Sequence, residues 1–125
     1  MGKKILIADD DLDMAKLLLL RLREHKYEAI IAGDGFEAVK KAHRDKPDLI
    51  ILDIKMPAGG GMTVFENLRK STDTCSIPVI FITAFPEKET RDNALRMGAL
   101  DYITKPYDAN EVITKIEKAL GEGAA

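Results

Sequence analysis

The sequence predicts an α/β domain built on a doubly wound, five-stranded parallel sheet with five helices on its two faces. Three observations carry that expectation. Strand-like apolar runs alternate five times with amphipathic, helix-like segments. The runs in the middle of the chain, "LIILDI" and "VIFITA", are apolar almost throughout, as strands covered on both faces must be. The 125 residues, 46% of them apolar, suit one domain with one core.

The elements follow in order. A first strand over Lys3–Ala8 runs straight into Asp9, Asp10 and Asp11. Three like charges side by side cost free energy unless a helix start, a basic partner or a cation offsets them. Asp11 takes the first role, opening a helix over Leu12–His25 with Met14, Leu17, Leu18 and Leu22 on its apolar face. A second strand covers Tyr27–Ala32. Asp34 followed by Glu37 has the spacing of a capped helix start, and Gly35–Arg44 carries Phe36, Val39 and Ala42 at i, i+3 spacing. A third strand covers Asp48–Leu52, and the next helix, Met62–Lys70, shows Met62, Phe65 and Leu68 at that same spacing. Pro78–Thr83 is the fourth strand. The helix Lys88–Met97 ends at Gly98, where a left-handed residue is wanted. Asp101–Thr104 mixes polar residues into a short run, which marks an edge strand. Asp108 and Glu111 start the last helix, Ala109–Leu120, with Val112, Ile113, Ile116 and Leu120 on one side and Gly121 at its end. Residues 1–121 are read as the domain and 122–125 as a frayed tail.

Among doubly wound five-stranded sheets the flavodoxin-like order 2-1-3-4-5 is common, and it puts the first strand beside the third. Ligands of such sheets bind beyond the carboxyl ends of the strands, at that switch point. Asp9 and Asp10 end the first strand, Asp53 the third and Thr83 the fourth, while Lys105 follows the fifth. These five groups should converge in one cleft.

Bulk properties exclude several classes. A net charge of −2 without a Lys/Arg cluster gives no footprint for direct nucleic-acid binding. No apolar stretch approaches a membrane span, and "MGKKILIADD" does not read as a signal peptide, so a cytoplasmic location is expected. Cys75 is alone, so no internal disulfide forms. His25 and His43 have no ligand-spaced companion and read as surface residues.

The cleft has a definite chemistry. Carboxylates alone suit a hard cation such as Mg²⁺, with Mn²⁺ as the alternative, and such ions bind together with phosphate oxygens. A lone Lys can contact a phosphoryl oxygen, and a Thr hydroxyl can donate to another. A carboxylate, with a reference pKa of about 3.9, is ionised near neutrality and needs no general base to act as a nucleophile. Asp53 is the candidate attacker: an Asp at the end of the apolar run "IILD" is expensive unless it has a task. Its product would be an acyl phosphate, whose lability suits a switch that resets itself.

The four motifs "ILIADDD", "DLIILDIKMP", "VIFITA" and "DYITKPY", in this order and spacing, resemble those of response-regulator receiver domains of bacterial two-component signalling, over essentially the whole chain. The resemblance implies that Asp53 accepts a phosphoryl group from a phosphohistidine of a sensor histidine kinase or phosphotransfer protein. It implies that Asp10 and Asp53 ligate Mg²⁺ directly, that Asp9 acts largely through water, and that the Lys55 backbone carbonyl completes the set. Thr83 and Lys105 would contact phosphoryl oxygens, the Lys105–Pro106 peptide would be cis, and Tyr102 would swing inward as Thr83 moves. The face formed by the fourth helix, fifth strand and fifth helix would then be read by an effector or by a second copy in a phosphorylation-dependent homodimer. On this reading the chain is a phosphoacceptor switch and no turnover enzyme.

Rival readings of the same residues meet definite obstacles. A Mg²⁺-dependent phosphohydrolase with an Asp nucleophile usually carries an acid two residues after it, where Lys55 stands here, together with a cap domain. A flavin carrier of this topology wants a Ser/Thr/Gly-rich loop where "DDDLDM" stands. A degenerate receiver used only for docking would not be expected to keep all five polar groups. Two departures from the commoner family pattern stand out. "PAGGGM" has glycines at 59 and 60 ahead of the family-matching Gly61, which should loosen the loop. Phe85 is bulky where a polar residue is commoner, and should hinder the hydrolytic water. Phe85→Ala should then shorten the lifetime of the phosphorylated state; an unchanged dephosphorylation rate would dispose of the idea.

Overall fold

The computed structural model describes residues 2–84 and 87–121. Ten elements alternate: β1 (Lys4–Ala8), α1 (Leu12–Glu24), β2 (Glu28–Ala32), α2 (Gly35–Asp45), β3 (Leu49–Asp53), α3 (Gly61–Arg69), β4 (Val79–Thr83), α4 (Lys88–Arg96), β5 (Asp101–Thr104) and α5 (Ala109–Ala119). All strand pairs are parallel, in the order β2-β1-β3-β4-β5. The expected order and the five helices are therefore observed.

The alternation of side chains along each strand divides the core into two layers. Leu6, Ala8, Ile50, Leu52, Val79 and Phe81 point to one face and pack on α2, α3 and α4. Ile5, Ile7, Leu49, Ile51, Ile80 and Ile82 point to the other and pack on α1 and α5. β3 and β4 are buried at every position, whereas β5 is half-buried, as an edge strand should be.

Several boundaries differ from the sequence reading by one residue, for identifiable reasons. β4 starts at Val79, not Pro78, because proline has no N–H to give; its carbonyl still accepts from Ile50 N at 3.0 Å. β3 starts at Leu49, because Asp48 uses its carboxylate on Lys4 N at 2.7 Å, and it extends through Asp53, which pairs with Ile82. β1 and β2 each start one residue later than expected, and α3 begins at Gly61. Two helical faces also differ from the expectation. Leu17 is 63% and Phe36 71% exposed, while Ala15, Leu18 and Leu22 of α1 and Gly35, Ala38 and Ala42 of α2 face the sheet. In α2 the small residues let the helix lie close to the strands and leave Phe36 on its flank, whereas α1 seats Leu18 and Leu22 beside Ala15 and turns Leu17 outward.

The caps behave largely as expected. Asp11 accepts from Met14 N at 3.2 Å and Asp34 from Glu37 N at 2.7 Å. Glu37 reaches back to Gly33 N rather than to Asp34 N. Asp108 accepts from Asn110 N, one position short of Glu111. Gly98 and Gly121 both have positive φ, 104° and 70°, as helix ends require.

The α3 layer is tied down by one aromatic pair. Phe65 is fully buried, edge-to-face with Phe81 at 5.3 Å between centroids, and the Arg69 guanidinium sits 4.6 Å from its ring. Phe65→Ala should lower the unfolding free energy by about 3–5 kcal/mol in urea denaturation, and a loss below about 1 kcal/mol would mean that this layer does not depend on the pair.

Candidate functional site

The register brings the strand ends together. Ala8, the last residue of β1, lies opposite Leu52; Asp53 lies opposite Ile82, and Thr83 opposite Thr104. The residues just beyond these pairs are Asp9, Asp10 and Lys105. Lys105 N donates to Thr83 O at 2.7 Å, and Asp9 N donates to Ala32 O at 3.0 Å, which fixes where the chain leaves β5 and β1. The Lys105–Pro106 peptide is cis, as expected.

Carboxylate oxygens of Asp9, Asp10 and Asp53 lie within 4.8 Å of one another. Asp9 is wholly buried and Asp53 is 4% exposed, while Asp10 faces solvent. The Lys105 ammonium bridges the two buried acids: it donates to Asp53 Oδ2 at 3.0 Å and to Asp9 Oδ1 at 3.2 Å. Two backbone amides add to it, Asp11 N on Asp9 Oδ1 at 3.0 Å and Lys55 N on Asp53 Oδ1 at 3.2 Å. Asp9 Oδ2 lies 3.1 Å from the ammonium but outside hydrogen-bonding geometry, and it is buried without a hydrogen-bond partner among the described residues.

Electrostatics follow from this arrangement. Burial pushes the Asp53 pKa up to about 6; the Lys105 hydrogen bond pulls it down, and the neighbouring Asp9 raises it again. Burial works against the Lys105 charge, yet the hydrogen bonds to Asp53 and Asp9 outweigh it and hold its pKa above the ordinary lysine value. Tyr107, in the segment after β5, has its pKa pushed up to about 12 by burial and then by Asp9.

A hard cation fits this donor set. Three carboxylates cluster where the Lys105 ammonium pairs with two of them, and one buried carboxylate oxygen lacks a hydrogen bond among the described residues, the environment in which an oxygen-seeking divalent ion relieves an electrostatic cost.

The structure thus places Asp9, Asp10, Asp53 and Lys105 in one pocket. Thr83 is buried at the end of β4, beside them in register. Tyr102 is half-buried on β5 against the layer that contains Ala94 and Ala99. Its hydroxyl is buried without a hydrogen-bond partner among the described residues, and burial, then Glu87, raises its pKa. Lys55 is exposed, with its amide on Asp53. Phe85 lies outside the described residues. Sequence reasoning missed the Lys55 and Asp11 amide contacts and the proximity of Tyr107. The amide contacts were open to it, because a carboxylate two residues before an amide is the spacing of an Asx turn.

Fold and pocket define the class: a doubly wound α/β domain with a lysine-bridged acidic cluster at the switch point of its sheet. A family model described as the response regulator receiver domain matches residues 5–117, and the chain belongs to that family. Among curated relatives, the alkaline phosphatase synthesis transcriptional regulatory protein PhoP of Bacillus subtilis is 39% identical over 120 residues, which cover 96% of this chain and 49% of that protein. The chain spans about half the length of the curated relatives it matches. The receiver domain of the Francisella response regulator 1452 superposes with a TM-score of 0.86 at 31% identity, covering 94% of this chain and 95% of that one. The receiver domain of the sensor histidine kinase PA1611 of Pseudomonas aeruginosa, solved with magnesium coordinated in its active-site cleft, has a TM-score of 0.87 at 27% identity, covering 98% and 100%.

The raised Asp53 pKa has a consequence for stability. A folded-state value above the ordinary one means that the folded protein holds the proton more tightly, so this group costs stability as pH rises from about 4 through about 6. Without divalent cations, Asp53→Asn should be more stable than wild type near neutral pH, by on the order of 2 kcal/mol, and the gap should close on acidification toward about pH 4. Urea titrations at both ends of that range check it; a variant less stable at neutral pH would show that the Lys105 contact outweighs burial.

Proposed function

We propose that the chain is a phosphoacceptor switch in which Asp53 takes a phosphoryl group from a phosphohistidine of a sensor histidine kinase or phosphotransfer protein. An Asp53 carboxylate oxygen forms the new P–O bond as the P–N bond breaks, and the donor imidazole leaves with the bonding pair. The observation that carries this reading is the Lys105 ammonium 3.0 Å from Asp53 Oδ2, a fixed positive charge already beside the candidate nucleophile. Lys105 can keep its hold on Asp9 while turning part of its charge to the incoming oxygens. Thr83 supplies a hydroxyl from the end of β4. Asp9, Asp10 and Asp53, with the Lys55 carbonyl, would hold Mg²⁺, or Mn²⁺ in its place. When bound, the ion supplies charge neutralisation for the transferring group. Asp10 is favoured as a direct ligand by its exposure, and Asp9, already engaged by Lys105, as one acting through water.

The unit that performs this is residues 1–121. The added charge biases Thr83 and Tyr102, and through them the face of α4, β5 and α5, toward a partner-binding arrangement. An effector reads that face, or a second copy joins it as a phosphorylation-dependent homodimer. The domain itself needs no contact with nucleic acid or membrane, turns over no substrate and works in the cytoplasm. No helix among the described residues is long and apolar enough to cross a membrane.

Incubation with acetyl phosphate and Mg²⁺, read by intact mass, should add one phosphoryl group to the wild type. Asp53→Asn should gain none, and chelation of the metal should suppress the wild-type gain. Phosphorylation of the Asp53→Asn variant to the same extent would remove Asp53 from its role.

A further inference from the structure

Between β3 and α3 the chain turns back toward Asp53, and three hydrogen bonds donated by backbone amides hold it there. Lys55 N donates to Asp53 Oδ1 at 3.2 Å and Gly61 N to Ile54 O at 2.7 Å. The third comes from a different element: Gly35 N, at the first position of α2, donates to Pro57 O at 3.1 Å. The turn needs positive φ at Ala58 and Gly59, 55° and 99°. A Cβ on Gly35 would collide with the Gly59 carbonyl oxygen, and would lie 2.5 Å from the Ala58 oxygen and 3.0 Å from the Gly59 carbonyl carbon. All three obstacles are backbone atoms, so no side-chain rotation relieves them.

We propose that Gly35 is a positioning residue for the acidic pocket: by letting the first turn of α2 rest on the Pro57–Gly59 backbone, it holds the loop that carries Lys55 against Asp53. The inference rests on the reading of that pocket as a Mg²⁺ site. The direction of the effect comes from asking which partner would yield to a larger residue. α2 is fixed at its start by the Asp34 and Glu37 caps and along its length by Ala38 and Ala42, both buried against the sheet. Pro57, Ala58 and Gly59 are exposed to solvent. The loop therefore moves, and Lys55, two residues upstream of Pro57, moves with it. Gly35 gives its amide to Pro57 and to none of the acidic groups, so its influence on them runs through the loop.

Gly35→Ala tests this. In the metal-free protein the Lys55 and Gly61 amide resonances should shift, and the Mg²⁺ dissociation constant should rise by about tenfold, the scale on which outer contacts tune metal affinity. Ala42→Gly, two turns further along the same helix and buried in the same layer, is the control: it should lower the melting temperature and leave both readouts in place. If Gly35→Ala does not fold, the double variant Gly35→Ala/Ala58→Gly, which frees residue 58 to shift, serves instead. Unmoved Lys55 resonances and unchanged Mg²⁺ affinity in the folded variant would overturn the proposal. Should the wild type itself bind no Mg²⁺, the reading of the pocket falls, and the Lys55 resonance alone decides the role of Gly35.

Discussion

One ammonium holds two buried carboxylates at the mouth of this sheet, and much of the site is arranged around that imbalance. Removing a charge from water costs several kcal/mol unless it is paired and hydrogen-bonded. Lys105 offsets part of that cost for Asp9 and Asp53, and the Asp11 and Lys55 amides offset more. The parallel topology explains why the acids are gathered at all. Strands covered on both faces leave polar groups no place except their ends, and the order β2-β1-β3-β4-β5 sets the end of β1 beside that of β3. The position of Lys105 is set in turn by its own amide on Thr83 O, so the cation arrives from the far side of β4 with its backbone already registered.

The loops around the pocket are shaped by what is missing from their side chains. Gly61 opens α3 directly on the backbone of Asp53: a Cβ there would meet the Asp53 carbonyl oxygen and come within 2.9 Å of its carbonyl carbon and of Ile54 Cα. This gives the family-matching glycine a steric reason, independent of φ. The two preceding glycines, expected from the sequence to loosen the loop, have different parts. Gly59 carries a positive φ, and Gly60 takes an extended conformation as the cap of α3, with no side chain to supply a capping bond. The segment is thus more determined than a run of glycines suggests.

How much of this can be read from the chain alone depends on whether the signal is local. The strands, their order and the meeting of Asp9, Asp10, Asp53 and Lys105 follow from apolar runs and from the rule for switch points. Asp11 as a cap follows from its place before an apolar helix. Phe36 falls on the wrong side when an i, i+3 stripe of large residues is preferred over the small residues that let α2 approach the sheet, and Leu17 does so because consecutive leucines leave it open which of Leu17 and Leu18 faces inward. Asp53 falls just beyond β3 when a carboxylate is taken for a terminus, whereas its backbone pairs within the strand. Gly35 gives no signal, since its partners, Pro57 to Gly59, lie on a loop that only the folded chain brings near.

The pole of the sheet opposite the pocket is built differently. There, Arg69 at the end of α3 donates to the carbonyls of Cys75, Ile77 and Gly98, and so ties α3 to the start of β4 and the end of α4. Thr74 Oγ1, buried, donates to Leu68 O at 2.7 Å, and Asp48 accepts from Lys4 N. The Arg69 and Thr74 bonds satisfy backbone carbonyls from side chains, and the Asp48 carboxylate satisfies the first amide of β1. Near the pocket, backbone bonds such as Lys105 N to Thr83 O are joined by an ammonium and two amides on the buried Asp9 and Asp53 carboxylates, whose ion pairing and charge balance can change. A packed core resists continuous deformation, so an altered charge at the carboxyl ends meets first the loops there and the helices leaving them. The two poles of this two-layered core are thus held differently, one mainly by side-chain bonds to backbone carbonyls and the other by an ammonium shared between two buried carboxylates.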